Sequence, residues 1–385
     1  MKTIKILALP LMLLALAGCR KSMEAGIASV WFTGTEDVPE MSIYVDGPTS
    51  AAFSVTSSVA SKEDVTVDVE VDAAAVDVYN AKNGTTYQML PSSAFNLSSN
   101  RTRIAAQKSV SDPISLNVTS MDEMEDGVTY CVPIKIANTS NNQQILRASK
   151  YVYMILKGVI HTTGSDFNQN SCYHVPSMMN SSALADLDAC TIEIRVKMDN
   201  FRSARENPGI ATLIGVEETF LLRFGDVSCD KNQLQLAGRG VSITSKTHFE
   251  TDRWYHIAVV DDRTTARLYV DGELDTEVSS SGKSAINLGD TWQDGFWIGD
   301  SCGNRKMDGT VSEARVWNRA LSPVEMTNNQ CIITDPAAAA KNDKLIAYWR
   351  LDKDNKGADL TGNGYTAVAS GSVSYVAGVD CPYLQ

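Results

Sequence analysis

An all-β architecture of two sandwich-like units is the fold class that this 385-residue sequence predicts. Three observations carry it. Val65–Val71 (VTVDVEV) sets valine at every second position, with Thr66, Asp68 and Glu70 between, the pattern of a half-solvated antiparallel strand. Met41–Val45, Phe53–Val55 and Tyr151–Leu156 alternate in the same way. In Arg253–Asp275 (RWYHIAVVDDRTTARLYVDGELD), Trp254, His256, Ala258 and Val260 fall on one face and Tyr255, Ile257 and Val259 on the other. The polar turn Asp261–Thr265 then leads into a second strand ending at Asp271–Gly272.

Taken in order, the chain opens with two lysines in Met1–Lys5, an apolar run Ile6–Ala17, and Leu16–Ala17–Gly18–Cys19. A basic start, a short apolar stretch and small residues before the cut read as a signal peptide over residues 1–18. The run is too short for a spanning helix, which needs about 20 residues. Leu-Ala-Gly-Cys resembles a bacterial lipobox, which implies that Cys19 is the first mature residue and carries the lipid. Residues 19–26 then form a lipidated tether. Such an anchor holds a protein on a membrane without a spanning segment, since buried acyl chains contribute about 0.8 kcal/mol per CH₂.

Residues 27–160 read as a first all-β unit, a Greek-key-like sandwich. Ala73–Lys82 changes period, and Asn83–Gly84 supplies a helix stop, so one or two helical turns are expected there. Pro91 and Pro113 punctuate loops or strand edges. Val65–Val71, Val76–Pro91 and Tyr130–Ile136 together resemble an uncharacterised N-terminal domain of Bacteroidetes-type lipoproteins, with Cys131 where an aliphatic residue is usual. That family places the sandwich ahead of LamG-like modules or glycoside hydrolases, which implies a spacer or glycan-associated accessory role. His161–Asp166 (HTTGSD), short and polar with a glycine, reads as the linker.

Residues 167–385 make the second unit. Trp254–Val259, Arg267–Gly272 and Asp308–Ser322 resemble, in order, three motifs of the LamG, or concanavalin A-like, jelly-roll family. Cys190–Met198 resembles its early strand, with Arg195 in place of the usual Trp, and Leu345–Asp352 with Asp359–Tyr365 resembles another recurring pair. The resemblance spans roughly Phe167–Val376. It implies a fold that usually binds and rarely catalyses.

Net charge of −12 argues against nucleic acid, which calls for a basic face. Eight cysteines include no CxxC or CxxH spacing, so a zinc site is not expected. Export permits disulfides, and Cys172 with Cys190, or Cys331 with Cys381, are open pairings. Four histidines and no G-x-S-x-G elbow leave little for nucleophilic catalysis. Glu193 and Glu313 are the carboxylates that glycoside hydrolysis would need, but the E-x-D-x-x-E run of related hydrolases is missing.

Sugar binding instead needs exposed rings and fixed polar groups. Trp292, in the Gly289–Gly295 loop, is the leading candidate, followed by Trp297, with Tyr173 and Arg205 on the same rim. Trp254, Trp317 and Trp349 read as core. The family also implies calcium, a cation that takes several loop oxygens; Asp308, Asp300 and Asp359 are the candidate ligands. The expectation is a non-catalytic outer-membrane lipoprotein, at the cell surface or facing the periplasm. Its LamG-like unit would bind a glycan beside envelope transport or hydrolase proteins. The alternatives are an adhesion module for a protein partner and a glycosidase.

Overall fold

The computed structural model describes residues 28–36, 38–141, 143–202 and 209–382. Cys19, the expected signal peptide and tether, and Arg205 lie outside the described residues. The chain divides into two units: residues 47–123 and 130–156 belong to the first, and residues 157–385 to the second. Among the described residues no helix is long and apolar enough to cross a membrane.

The first unit is β-rich and sandwich-like. Its largest sheet sets Val65–Val71 between Arg101–Ile104 and Thr129–Thr139. Val65, Val67 and Val69 are buried while the polar residues between them are not, as alternation requires. The helix Ala75–Asn83 ends at Gly84, whose left-handed φ of 67° lets its N–H reach the Asn80 carbonyl.

The second unit is a sandwich of an eight-stranded and a seven-stranded sheet. Cys190–Asn200 runs down the middle of the larger sheet, antiparallel to Trp254–Asp261 on one side and Asp308–Trp317 on the other. Ile192, Ile194, Val196, Tyr255, Ile257, Val259, Val311 and Val316 point inward to meet Leu222, Phe224, Leu236, Phe296 and Ile298 of the smaller sheet. The opposite face of the larger sheet is covered as well. Helices Pro323–Asn328 and Pro336–Asp343 flank a second apolar cluster of Ala258, Val260, Trp317, Leu321, Met326 and Ala339. The first helix is fixed by a reciprocal capping box between Ser322 and Glu325, the second by Asp335 accepting from the Ala338 N–H.

His161–Asp166 is not a linker. It lies within the strand Ile160–Asn168, paired to Asp308–Trp317 and to Ser374–Cys381. His161 is exposed whereas Ser165 is fully buried, and Gly164 makes room for its neighbour: a Cβ there would sit 2.6 Å from Thr310 Cγ2. Cys331 and Cys381 form a disulfide, whereas Cys172 and Cys190 are separate buried thiols. Burial pushes the Cys172 thiol up to about 11.

Candidate functional site

The outer face of the seven-stranded sheet carries an aromatic platform. Strand Cys172–His174 pairs with Phe296–Ile298, placing His174 opposite Trp297. On both strands the flanking residues Tyr173, Phe296 and Ile298 are buried, so His174 and Trp297 share the outward face. Their rings stack with centroids 4.2 Å apart and planes 17° apart. Val368, opposite His174 on the next strand, is exposed, and Gly215, opposite Trp297 on the other side, adds no side chain to the row.

The loop before Trp297 locks both rings. Trp297 Nε1 donates to the Gln293 carbonyl at 3.0 Å, and His174 Nε2 lies 2.6 Å from the Asp294 carbonyl, so that nitrogen carries the proton. Asp290 Oδ1 accepts the Trp292 N–H at 2.8 Å. Gln293, Asp294 and Gly295 adopt φ values of 52°, 63° and 81° in succession. Left-handed backbone at two non-glycine residues costs free energy, and the surrounding bonds hold it. Trp292, at the head of this turn, is 56% exposed. The sequence singles out Trp292 and Trp297 but not His174, which joins Trp297 only through pairing between strands distant in sequence. Tyr173 is a correction. It is fully buried in the sandwich core, where its hydroxyl meets Ser165 Oγ at 3.1 Å, and it lines no rim.

The three aspartates do not converge. Asp300 Oδ1 accepts the Ser301 and Arg305 N–H groups and is buried in its own turn. Asp359 accepts from Thr361 and Tyr365 N–H groups. Asp308 opens a strand and accepts from Gln169 Nε2 at 2.9 Å. Among the described residues no group of three or more His, Cys, Asp and Glu side chains is placed to hold a metal ion. These residues do not fit a shared calcium site.

Glu193 and Glu313 lie on the outer face of the larger sheet, both buried and both committed to neighbours. Register sets Glu193 opposite Arg315 and Arg195 opposite Glu313, an alternating pattern of charge. Glu193 Oε2 lies 3.0 Å from His256 Nε2, and Glu193 Oε1 accepts from Trp317 Nε1 at 2.7 Å. Glu313 Oε2 accepts from Arg315 at 2.5 Å and from the Tyr348 hydroxyl at 3.0 Å. Burial pushes the Glu193 carboxyl up, but His256, Arg315 and Trp317 together outweigh it and hold it below its ordinary value. At Glu313 burial wins over Arg315 and Tyr348, and the carboxyl is raised.

Residues 178–327 match the family profile of the concanavalin A-like lectin/glucanase superfamily. The second unit is a concanavalin A-like domain. Residues 28–143 match a separate family of N-terminal domains. A crystal structure of a candidate carbohydrate-binding protein from Bacteroides ovatus is 24% identical, with a TM-score of 0.55, over 91% of this chain and 97% of that one. That likeness extends the shared fold across both units. A carbohydrate-binding module of a Ruminococcus gnavus sialidase is 14% identical over 44% of this chain and 96% of its own, with a TM-score of 0.34. Domain 4 of a Geobacillus stearothermophilus arabinanase is 16% identical over 38% and 68%, with a TM-score of 0.30. Scores this low carry no argument about the concanavalin A-like domain. No curated protein matches the chain.

Proposed function

We propose that the chain is a non-catalytic, lipid-anchored envelope protein that captures a glycan on the aromatic platform of its concanavalin A-like domain. The single observation that carries the reading is an exposed Trp292 on the same turn whose carbonyls hold the stacked His174–Trp297 pair. Flat apolar faces suit the C–H faces of sugar rings, and a prefixed ring loses little entropy on binding. The likeness in fold to a candidate carbohydrate-binding protein agrees with this. The lipobox at Cys19 and the Cys331–Cys381 disulfide favour an exported protein held at the outer membrane, at the surface or on the periplasmic side. The test is a glycan array with residues 20–385, with and without calcium, followed by Trp292→Ala on whichever polysaccharide binds. Tenfold weaker binding or more supports the platform, and unchanged affinity removes it.

One observation favours a protein partner instead. Leu274 and Val324, 50% and 67% exposed, border an apolar groove with Tyr269 and Pro323 beside the edge strand Glu273–Ser279. Pull-down by the wild type that is lost with Val324→Asp, alongside an empty array, would favour that reading.

A further inference from the structure

On the other side of the sandwich, the outer face of the eight-stranded sheet opens into a pocket bounded by Arg195, Arg253, Trp254, His256, Asp271 and Gln330. We propose that this pocket is a second binding site, taking the carboxylate of an acidic sugar between Arg195 and Arg253.

Arg195 lacks an acidic contact: it is 4% exposed, yet among the described residues no carboxylate approaches it within 4 Å. Its hydrogen bonds go to neutral acceptors, Ser312 Oγ at 3.3 Å and the Asp380 carbonyl. Glu313, its in-register neighbour, is turned to Arg315 instead. Arg315 by contrast contacts Glu313 at 2.5 Å and Glu193 at 3.7 Å. A buried guanidinium without a contacting anion is unfavourable, and the carboxylates of Glu313, Asp271 and Asp380 act on Arg195 only from beyond ion-pair distance. Burial lowers Arg195 to about 10, which still leaves it charged at neutral pH. An entering carboxylate supplies the missing partner.

Arg253 provides the second jaw. Its side chain is 42% exposed and its one ion pair, to Asp271, is loose at 3.3 Å. Most of its five N–H donors therefore remain for a ligand. Arg195 lies 4.7 Å over the Trp254 ring and Arg253 4.7 Å over Tyr255, contacts that help fix both guanidiniums in the pocket wall.

The rest of the wall favours a sugar over a peptide. Asp271, Gln330 and His256 exchange hydrogen bonds with hydroxyls, beside the apolar edges of Trp254, Tyr255 and Pro382. Asp271 is partly spent, accepting the His256 N–H at 2.9 Å. The pocket's cavity volume is about 210 Å³, below the ~300–1,000 Å³ of drug-sized ligand sites, so it suits a single small ligand. A net charge of −12 opposes long polyanions, so the fitting ligand bears one carboxylate.

The test is calorimetric titration of the full chain with methyl glucuronide against methyl glucoside. Binding of the glucuronide at least tenfold tighter than the glucoside is expected. Arg253→Ala should weaken it tenfold or more, and Arg253→Lys less. Trp292→Ala should leave it unchanged, which separates this site from the aromatic platform. Equal binding of the two glycosides, no glucuronide binding at millimolar concentration, insensitivity to Arg253→Ala, or equal binding of acetate or an acetylated dipeptide would each overturn the assignment.

Discussion

The disulfide offers the sharpest stability test. Cys331 and Cys381 are 50 residues apart. Closing a loop of that length removes chain entropy from the unfolded state worth about 4 kcal/mol at 25 °C. The bond also tethers the segment that begins at Asn329, whose carbonyl accepts from Arg315 at 2.5 Å, so the native state has further contacts to lose. At roughly 2–4 °C per kcal/mol for a unit of this size, Cys331→Ser with Cys381→Ser should lower the melting temperature of the C-terminal unit by about 8–16 °C. Differential scanning calorimetry of the full chain measures this, and reductant added to the wild type should reproduce it. A fall of less than about 3 °C in either experiment would refute the reasoning, because the loop would then be constrained by other contacts even in the unfolded chain.

Other outcomes follow from the charged face and the platform turn. Glu193→Ala should cost about 3–5 kcal/mol in urea melts at neutral pH, because it leaves His256 and Trp317 buried without their acceptor and removes one of the two carboxylates beside Arg315. Glu193 is depressed, so its contribution is complete above the unfolded value of 4.5 and disappears as pH falls through the lower folded value. Glu193→Gln should therefore flatten the acid limb of the stability profile below about pH 4.5. Glu313 is raised, so its contribution is present below 4.5 and lost as pH rises through its folded value; Glu313→Gln should cost less at neutral pH than Glu193→Gln in the same melts. Gly295→Ala puts a Cβ 2.6 Å from Met179 Cγ at a φ of 81°. It should cost about 1–3 kcal/mol and weaken glycan binding by misplacing Trp292, read by melting and titration of one sample.

How far the sequence revealed this structure depended on periodicity. Tyr255, Ile257 and Val259 reach the core and Ala258 and Val260 the opposite cluster, as alternation requires, because both faces of that strand are covered and a slip of one residue would exchange them. Trp254, Trp317 and Trp349 are buried, as read from their strands. Tyr173 was misread because a three-residue strand contains too little alternation to identify its inward face. His161–Asp166 was misread because a strand made of small polar residues and a packing glycine has the composition of a loop. At the site, Trp292 was legible from a loop without apolar neighbours. The stack with His174 and the lack of an ion pair at Arg195 were not, since both arise from lateral pairing, and nothing local in the chain encodes which strands become neighbours.

The C-terminal unit begins and ends on neighbouring strands, with Ile160 opposite Cys381 and His161 opposite Asp380. A module whose entry and exit points coincide can be grafted into a surface loop of a host without stretching that loop, because the gap it must bridge is only the width of one strand pair. The concanavalin A-like unit is thus a ready cassette. Transplanted with its disulfide, it should confer its binding on an unrelated carrier.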